Sequence, residues 1–291
     1  MTMGRQLKIV LLTILGVAAP SGFAAESSAP TIREVIDHLL AQSATGLRAE
    51  TVDTVKTGDA QQRVSGIVTC FMANTHTVER AIALGANMII THEPTFYNHL
   101  DGVMELEGDE TYAHKLRRLN EHGIVVFRFH DHLHQMRPDP ILQANVDALG
   151  WGEFQDSENP HLSVLPERTV RDLVSELKQA WKIEDPVKVV GDLNTRVSRV
   201  GIVPGAYGGK AQIGFTQECN FDALIVGEVH EWETPEYYRD SAAAGRPRAL
   251  IVTGHAVSES LGMAWLADWL ALEFSNVAVQ FVATPDPFDF L

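Results

Sequence analysis

The amino-acid sequence predicts an α/β protein of two related α/β domains with mixed or mostly parallel sheets. Short runs of β-branched residues alternate along the chain with amphipathic segments of helical period, which is typical of parallel sheets. The chain has 291 residues, of which 45% are hydrophobic and 21% charged, so it can bury a sizeable core. Histidine and glutamate residues follow several of the predicted strands.

The first predicted domain covers residues 31–150 and contains three strands that alternate with three helices. In the first helix, Val78, Ala81 and Ile82 have the spacing of one helix face. The second helix begins with acidic residues and ends with basic residues before Gly123, as the helix dipole favours. The predicted strands are SGIVTCF, NMIITH and IVVFRFH, and the predicted helices are THTVERAIALGA, DETYAHKLRRLNEHG and PDPILQANVDALGW.

The second predicted domain covers residues 151–291 and repeats this alternation. Thr169 is a typical N-cap residue for its first helix. The apolar stripe of that helix is formed by Leu173, Leu177 and Trp181. The strands VKVVGD, SRVGIV, DALIVGEV and ALIVTGH follow, with the helical segment PEYYRDSAAAG between the last two. The long helix SESLGMAWLADWLALEF and the strand VAVQFVAT complete the domain.

A weak internal similarity connects the two domains. RVSGIV followed by GANMIITHEP resembles RVSRVGIV followed by FDALIVGEVH. In each case a short strand, a helix-containing stretch and a second strand end at a histidine and a glutamate. Open α/β sheets place their sites at the carboxyl ends of strands, so both pairs of residues would lie at such an edge.

Residues 1–24 are predicted to be a secretory signal peptide. Two basic residues precede the apolar stretch IVLLTILGVAA, which is too short to span a bilayer. Gly22 and Ala24 are the small residues expected before a cleavage site after Ala24; the alternatives are cleavage after Ala25 and an uncleaved anchor. We therefore expect a periplasmic or secreted protein that has no membrane association after cleavage.

The net charge argues against nucleic acid as a partner. The charge is −15 for the whole chain, and loss of the two basic residues in the predicted signal peptide would make it −17. Such an acidic surface repels a phosphate backbone. The one dense basic cluster, KLRRLN, lies on the polar face of a predicted helix. A small-molecule substrate is the expected partner.

The two cysteines do not form a metal motif. Cys70 and Cys219 are too far apart in the sequence for a zinc ribbon. In an oxidising compartment they could pair, but the apolar neighbours of Cys70 favour a buried free thiol.

The distribution of histidines favours a metal site. His92 and Glu93 end the strand NMIITH, and His255 follows the strand ALIVTGH. Imidazoles beside carboxylates are common ligands of zinc, manganese and iron. The alternative for each motif alone is a polar exit of the strand into solvent. Of the 12 histidines, six follow predicted strands: His92, His130, His132, His134, His230 and His255.

Two further motifs add candidate ligands. In FRFHDHLHQ, the histidines His130, His132 and His134 would share one face of an extended chain, with a solvated loop as the alternative. His255 and Glu259 are four residues apart and would share one face of a helix that begins there. Simple capping of the helix start is the alternative interpretation for the glutamate.

Other residues suggest supporting chemistry. Glu228 and His230 follow another predicted strand and are candidates for general acid/base catalysis or for supporting the metal ligands. The glycine-rich segment VPGAYGGKAQIG does not match the phosphate-loop template and is predicted to be a tight strand-to-helix turn. The sequence contains no G-x-S-x-G motif, so it gives no support to a serine nucleophile.

Two long segments resemble a known family. GIVTCFMANTHTVERAIALGANMIITHEPTFYNHLD and ALIVTGHAVSESLGMAWLADWL resemble the Nif-three-like (NGG-interacting-factor) dinuclear metal-centre proteins, which are often described as homologues of type 2 GTP cyclohydrolase. The resemblance runs from about residue 31 to the end of the chain. It implies two α/β domains, two metal ions in a cleft, and a homo-oligomer in the form of a hexameric ring.

The resemblance also implies three ligand motifs. The His-His-Pro motif of the family corresponds to residues 92–94, where Glu93 replaces the second histidine. The H-T-N-L-D motif corresponds to residues 130–134, where His134 replaces the aspartate, and the G-H-x-x-S-E motif corresponds to residues 254–259. Both replacements can still bind a divalent ion. The candidate metal ligands are His92, Glu93, His130, His134, His255 and Glu259.

The expected function is that of a metal-dependent hydrolase acting on a small phosphorylated or cyclic substrate. The expected cofactors are two divalent metal ions, with zinc, manganese and iron as candidates. The sequence contains no recognisable substrate-reading motif, so it leaves open whether the protein is an enzyme. The alternative is a non-enzymatic metal-binding scaffold or a regulatory ring protein.

Overall fold

Two five-stranded sheets form the framework of the protein, and helices cover them. A computed structural model describes residues 29–290. Both sheets are mixed, because each combines parallel central strands with at least one antiparallel edge strand. The predicted fold class, two α/β domains with mixed or mostly parallel sheets, is confirmed.

The first part of the chain supplies four strands and four helices. Parallel pairing of the strands at residues 67–72, 88–93 and 125–128 brings their carboxyl ends to one edge. These strands are buried on both faces, which explains their nearly continuous apolar sequences. The elements are α1 (Ile32–Leu40), β1 (Val55–Thr57), β2 (Ile67–Met72), α2 (Thr75–Ala83), β3 (Met88–Glu93), α3 (Glu110–Glu121), β4 (Val125–Arg128) and α4 (Pro140–Ala148).

The second part of the chain supplies six strands and four helices. Thr169 caps the first of these helices through a capping box with Asp172, as its sequence predicts. The elements are β5 (Leu162–Thr169), α5 (Val170–Ala180), β6 (Lys188–Val190), β7 (Arg196–Val203), α6 (Gly209–Cys219), β8 (Ala223–Val226), α7 (Thr234–Ala243), β9 (Ala249–Val252), α8 (His255–Glu273) and β10 (Val279–Phe281). The strand orders are β1-β4-β3-β2-β10 and β5-β7-β8-β9-β6.

The last helix and strand cross the expected division of the chain at residue 150. Strand β10 pairs in parallel with β2 and therefore belongs to the first sheet, although it lies in the predicted second domain, residues 151–291. Helix α8 returns the chain from the second sheet to the first, because Met263, Leu266 and Leu270 pack into the core of the first sheet. The start of the same helix packs against the core of the second sheet through Val257 and Leu261.

The cysteines are free and buried in different parts of the fold. Cys70 lies in β2, and burial raises the pKa of its thiol to about 12. Cys219 ends α6 and accepts a hydrogen bond from Asn159. Within residues 29–290, no helix is long and apolar enough to cross a bilayer. The predicted signal peptide, residues 1–24, lies outside the described residues.

Gly262 allows α8 to lie against α4, so we expect Gly262→Ala to destabilise the protein. An alanine Cβ at this position would lie 2.5 Å from Cδ1 and 2.7 Å from Cα of Ile141. A helical Gly→Ala change normally stabilises by up to about 1 kcal/mol, whereas overpacking costs about 1–3 kcal/mol. Gly214→Ala in α6 is the matched control, because nothing lies within 4 Å of its added Cβ. Chemical denaturation should show a lower midpoint for Gly262→Ala alone, and equal midpoints would contradict this packing.

Candidate metal centre

Three chain segments meet at one edge of the first sheet and bring together histidine and glutamate side chains. His92 and Glu93 end β3, and the turn after the neighbouring strand β4 carries further histidines. Helix α8 begins directly after β9 and adds His255 and Glu259. Two groups have ligand atoms that all lie within 4.8 Å of one another: His92 with His130 and His134, and His92 with Glu93 and Glu259. The chain therefore brings all six predicted ligands into one region.

The four imidazoles share one hydrogen-bonding pattern. In each ring, Nδ1 donates to an oxygen of the protein, which fixes the tautomer and leaves Nε2 free to bind a cation. Three of the acceptors are carboxylates and one is a backbone carbonyl. The Nδ1 contacts are His92 to the Phe129 carbonyl at 3.2 Å, His130 to Asp131 at 3.0 Å, His134 to Asp139 at 2.9 Å and His255 to Glu228 at 3.0 Å.

Seven buried side-chain atoms among residues 29–290 lack hydrogen-bond partners, and three of them, His92 Nε2, His255 Nε2 and Glu259 Oε2, face one another. Glu259 Oε2 lies 3.1 Å from His255 Nε2 and 3.5 Å from His92 Nε2, without the alignment of a hydrogen bond. Buried polar groups are rarely left unpaired, and a group that is unpaired often marks an ion or water site. A divalent cation would satisfy all three atoms, so the donor set fits a metal.

Proximity and burial shape the titration of these groups. Burial, followed by the neighbouring His92 and His134, lowers the pKa of His130 to about 3, so this ring is neutral near pH 7. Burial alone would lower the pKa of His255 and raise that of Glu259. Neighbouring groups reverse both directions. Glu228, followed by Glu259, raises the pKa of His255. His92, followed by His255, holds the pKa of Glu259 well below its usual range.

The turn after β4 differs from the extended conformation expected for FRFHDHLHQ. His134 N–H donates to the His130 carbonyl at 3.1 Å, so these two side chains lie on the same side of the turn. The prediction that His132 shares their face is wrong, because a turn replaces the period of two found in a strand. His132 is buried on the opposite side, where its Nδ1 contacts Asp53 Oδ2 at 2.7 Å.

Asp53 organises this turn and was not identified from the sequence. Its buried carboxylate accepts hydrogen bonds from the backbone N–H groups of His130, Asp131 and His132 at 2.8–2.9 Å. Such a carboxylate holds the backbone in the conformation that presents His130 and His134. Asp53 lies 77 residues before His130 in the chain, so no local sequence pattern connects the two.

The two predicted acid/base residues have different positions. Glu228 follows β8 and contacts His255, and this hydrogen bond lowers the pKa of the carboxyl. His230 is exposed, contacts Glu233 at 3.0 Å and stacks on Trp232 at 4.9 Å. The structure thus brings Glu228 to the histidine cluster and directs His230 to other partners.

A cleft opens beside the candidate ligands. Its volume is about 410 Å³, which suits a small molecule. Arg48 lies at this cleft with half of its side chain exposed, 3.7 Å from Asp131. Tyr207 also lines the cleft, on the glycine-rich segment between β7 and α6. The cleft therefore combines candidate metal ligands with one cationic and one aromatic side chain.

Gly205 gives Glu259 its space, so we expect Gly205→Ala to weaken metal binding by about tenfold or more. A Cβ at this position would overlap Glu259 Oε1. Gly208→Ala is the control: it shares the positive φ, +77° against +73°, but nothing lies within 4 Å of its added Cβ. Both variants carry backbone strain, so the measurement is Zn²⁺ affinity by chelator competition. Equal affinities in the two variants would contradict this placement of Glu259.

The sequence matches a family model along most of its length. The model described as Duf34/NIF3 (NGG1p interacting factor 3) matches residues 30–287. A Chlamydia trachomatis protein named GTP cyclohydrolase 1 type 2 homolog is 25% identical over 246 residues, which cover 80% of this chain and 90% of that protein. A Clostridium acetobutylicum protein of the same name is 21% identical over 191 residues, covering 62% and 69%.

Solved structures share the fold. A Bacillus cereus protein related to NIF3 superposes with a TM-score of 0.70 at 16% identity, covering 91% of this chain and 100% of that chain. A Staphylococcus aureus hypothetical protein gives a TM-score of 0.68 at 18% identity, with the same coverage. At these identities the similarity supports the two-sheet architecture.

Proposed function

The chain belongs to the Duf34/NIF3 family, and from this premise we propose that it is a metal-dependent hydrolase with two divalent ions at the His/Glu cluster. The observation that carries the proposal is the shared orientation of His92, His130, His134 and His255. Each ring is held at Nδ1 and presents Nε2, which is how proteins orient histidines toward a metal.

The donors divide between two positions. His92, His130 and His134 provide nitrogen donors for one ion, and Glu93, Glu259 and His255 surround the other; His92 also belongs to the group of Glu93 and Glu259, so it lies near both positions. Mixed imidazole and carboxylate donors suit zinc, manganese or iron. Ions bound there would supply Lewis acid polarisation of a substrate oxygen and a water of lowered pKa.

The charge of the cleft favours an anionic substrate. Glu93, Glu259 and Asp131 carry negative charges, and two divalent ions together with Arg48 would exceed them. Arg48 can donate from the mouth of the cleft to a phosphate or carboxylate, and Tyr207 offers a ring to a planar group. Glu228 holds His255 in position through Nδ1. We therefore propose a small phosphorylated or cyclic substrate.

A comparison of metal-loaded and metal-stripped protein tests this function. The probes are GTP, taken from the name of the relatives, p-nitrophenyl phosphate and bis(p-nitrophenyl) phosphate. We expect product from at least one probe with loaded protein, and loss of at least 90% of the rate after chelation. Full activity in metal-free protein would contradict the proposal.

The alternative, a non-enzymatic metal-binding scaffold or regulatory ring, rests on the same six candidate ligands. A structural site fills all its coordination positions with protein ligands, whereas a catalytic site keeps a position for water. Stoichiometric metal, no turnover of any probe, and a coordination shell without water would support this alternative.

We also propose that the mature chain is periplasmic or secreted and forms a homo-oligomer, in which a hexameric ring is expected from the family resemblance. The proposal rests on the sequence of residues 1–24 and on the quoted family segments. N-terminal sequencing of protein from the periplasm should begin near residue 25, and light scattering should give about six times the mass of the mature chain. An intact N-terminus in the cytosolic fraction, or a monomer, would contradict these two points respectively.

A further inference from the structure

A chain of buried charges lies directly behind Glu93. Arg128, the last residue of β4, is fully buried. Asp101 and Lys56 continue the chain: Asp101 Oδ2 lies 3.8 Å from Arg128 and 3.2 Å from Lys56, and both side chains are almost fully buried. Burying a charge costs free energy unless the charge is paired and hydrogen-bonded, so three buried charges in a row indicate a specific role.

All three guanidinium nitrogens of Arg128 contact the segment that carries the first ligand motif. Nε donates to the His92 carbonyl at 3.0 Å, and Nη1 donates to the His99 carbonyl. Nη2 donates to Glu93 Oε2 at 3.1 Å. The guanidinium is planar and permanently charged, so it fixes both the backbone after β3 and one oxygen of Glu93.

The two oxygens of Glu93 therefore have different partners. Oε2 is occupied by Arg128. Oε1 lies 3.6 Å from His130 Nε2 and 3.6 Å from His255 Nε2, so it faces the imidazoles on both sides of the cluster. Only one oxygen is available to a cation.

We propose that Arg128 is a positioning residue for Glu93: it holds the carboxylate in a one-oxygen orientation toward the second metal position. This inference rests on the metal binding in the proposed function. Without the guanidinium, Glu93 would lose the donor that fixes Oε2, and its carboxylate would be free to rotate away from His130 and His255. Loss of such an outer partner typically costs about 10–100-fold in metal affinity.

The test is metal binding to the full mature chain, measured with Co²⁺ by chelator competition and by visible absorption. We expect Arg128→Met to keep one ion, at the three-histidine position, and to bind the second ion about 10–100-fold more weakly. Glu93→Gln should have a similar effect. In the double variant, Arg128→Met should add little to Glu93→Gln, because Arg128 acts through Glu93.

Lys56→Met is the matched control, because Lys56 is a buried charge that pairs with Asp101 and does not contact Glu93. We expect it to bind Co²⁺ within threefold of the wild-type affinity. Equal losses in Lys56→Met and Arg128→Met, or additive losses in the double variant, would overturn the inference and indicate a general structural role. Wild-type affinity for both ions in Arg128→Met would also overturn it.

Two further outcomes separate this inference from the proposed function. If Arg128→Met does not fold, Arg128→Lys keeps the charge but lacks the planar fork, and it should still lose affinity for the second ion. Wild-type affinity in that variant would overturn the inference. A wild-type chain that binds no Co²⁺ would overturn the proposed metal function itself. If instead the wild type and the Arg128 variants bind two ions with equal affinity, the metal function stands and only the role of Arg128 is overturned.

Discussion

Replacing His92 with alanine should remove both ions from the protein. His92 is the one residue that belongs to both groups of candidate ligands, and its Nε2 has no hydrogen-bond partner within residues 29–290. A direct ligand contributes more than an outer partner, so the loss of affinity should exceed about 100-fold for each ion. Inductively coupled plasma mass spectrometry on dialysed protein measures the loss directly.

His76→Ala is the control for this prediction. His76 is an exposed residue at the start of α2, so its loss should leave metal content unchanged. Circular dichroism must show that both variants are folded. A folded His92→Ala protein that keeps wild-type metal content would contradict the assignment of His92 as a shared ligand.

Replacing Asp53 with asparagine should cause a large loss of stability, on the order of 3 kcal/mol or more. The Asp53 carboxylate pairs with His132 and accepts hydrogen bonds from three backbone N–H groups. The amide NH₂ of asparagine would face some of these N–H donors and leave them without an acceptor. For a domain of this size, Tm should fall by roughly 6–12 °C. Metal affinity should fall as well, because the turn that carries His130 and His134 loses its anchor.

Asp59→Asn is the matched control for this change. Asp59 is exposed and accepts a hydrogen bond from Gln61 N–H in a loop, so its replacement should shift Tm by no more than about 2 °C. Calorimetry in the presence of a chelator separates the stability effect from metal loss. Equal Tm values for Asp53→Asn and wild type would show that the carboxylate does not organise the turn.

The alternation of strands and helices was predictable because the central strands are buried on both faces. Strands such as β3 and β4 read as apolar runs, and the helices between them show one apolar face. Helix α1 was not identified, although its capping box of Thr31 and Glu34 is a sequence signal for a helix start. Strands β1 and β5 were not predicted either. Both lie at sheet edges, where pairing with a neighbouring strand decides the conformation more than the local sequence does.

The candidate site was predictable as far as local motifs reach. His255 and Glu259 were expected on one helix face, and α8 does begin at His255. Asp53 and Arg128 were not identified as supporting residues, because each reaches the ligand motifs through tertiary contacts with residues far away in the sequence. The return of β10 to the first sheet depends on the packing of α8 and leaves no local pattern.

Anomalous diffraction from crystals of zinc-loaded protein, recorded on both sides of the zinc edge, tests the central claim most directly. We predict two peaks for each chain. One should lie about 2.1 Å from Nε2 of His130 and His134, and the other at a similar distance from Glu93 Oε1 and Glu259 Oε2. The absence of peaks among these side chains, or zinc bound only elsewhere on the chain, would contradict the assignment of this cluster as a metal centre.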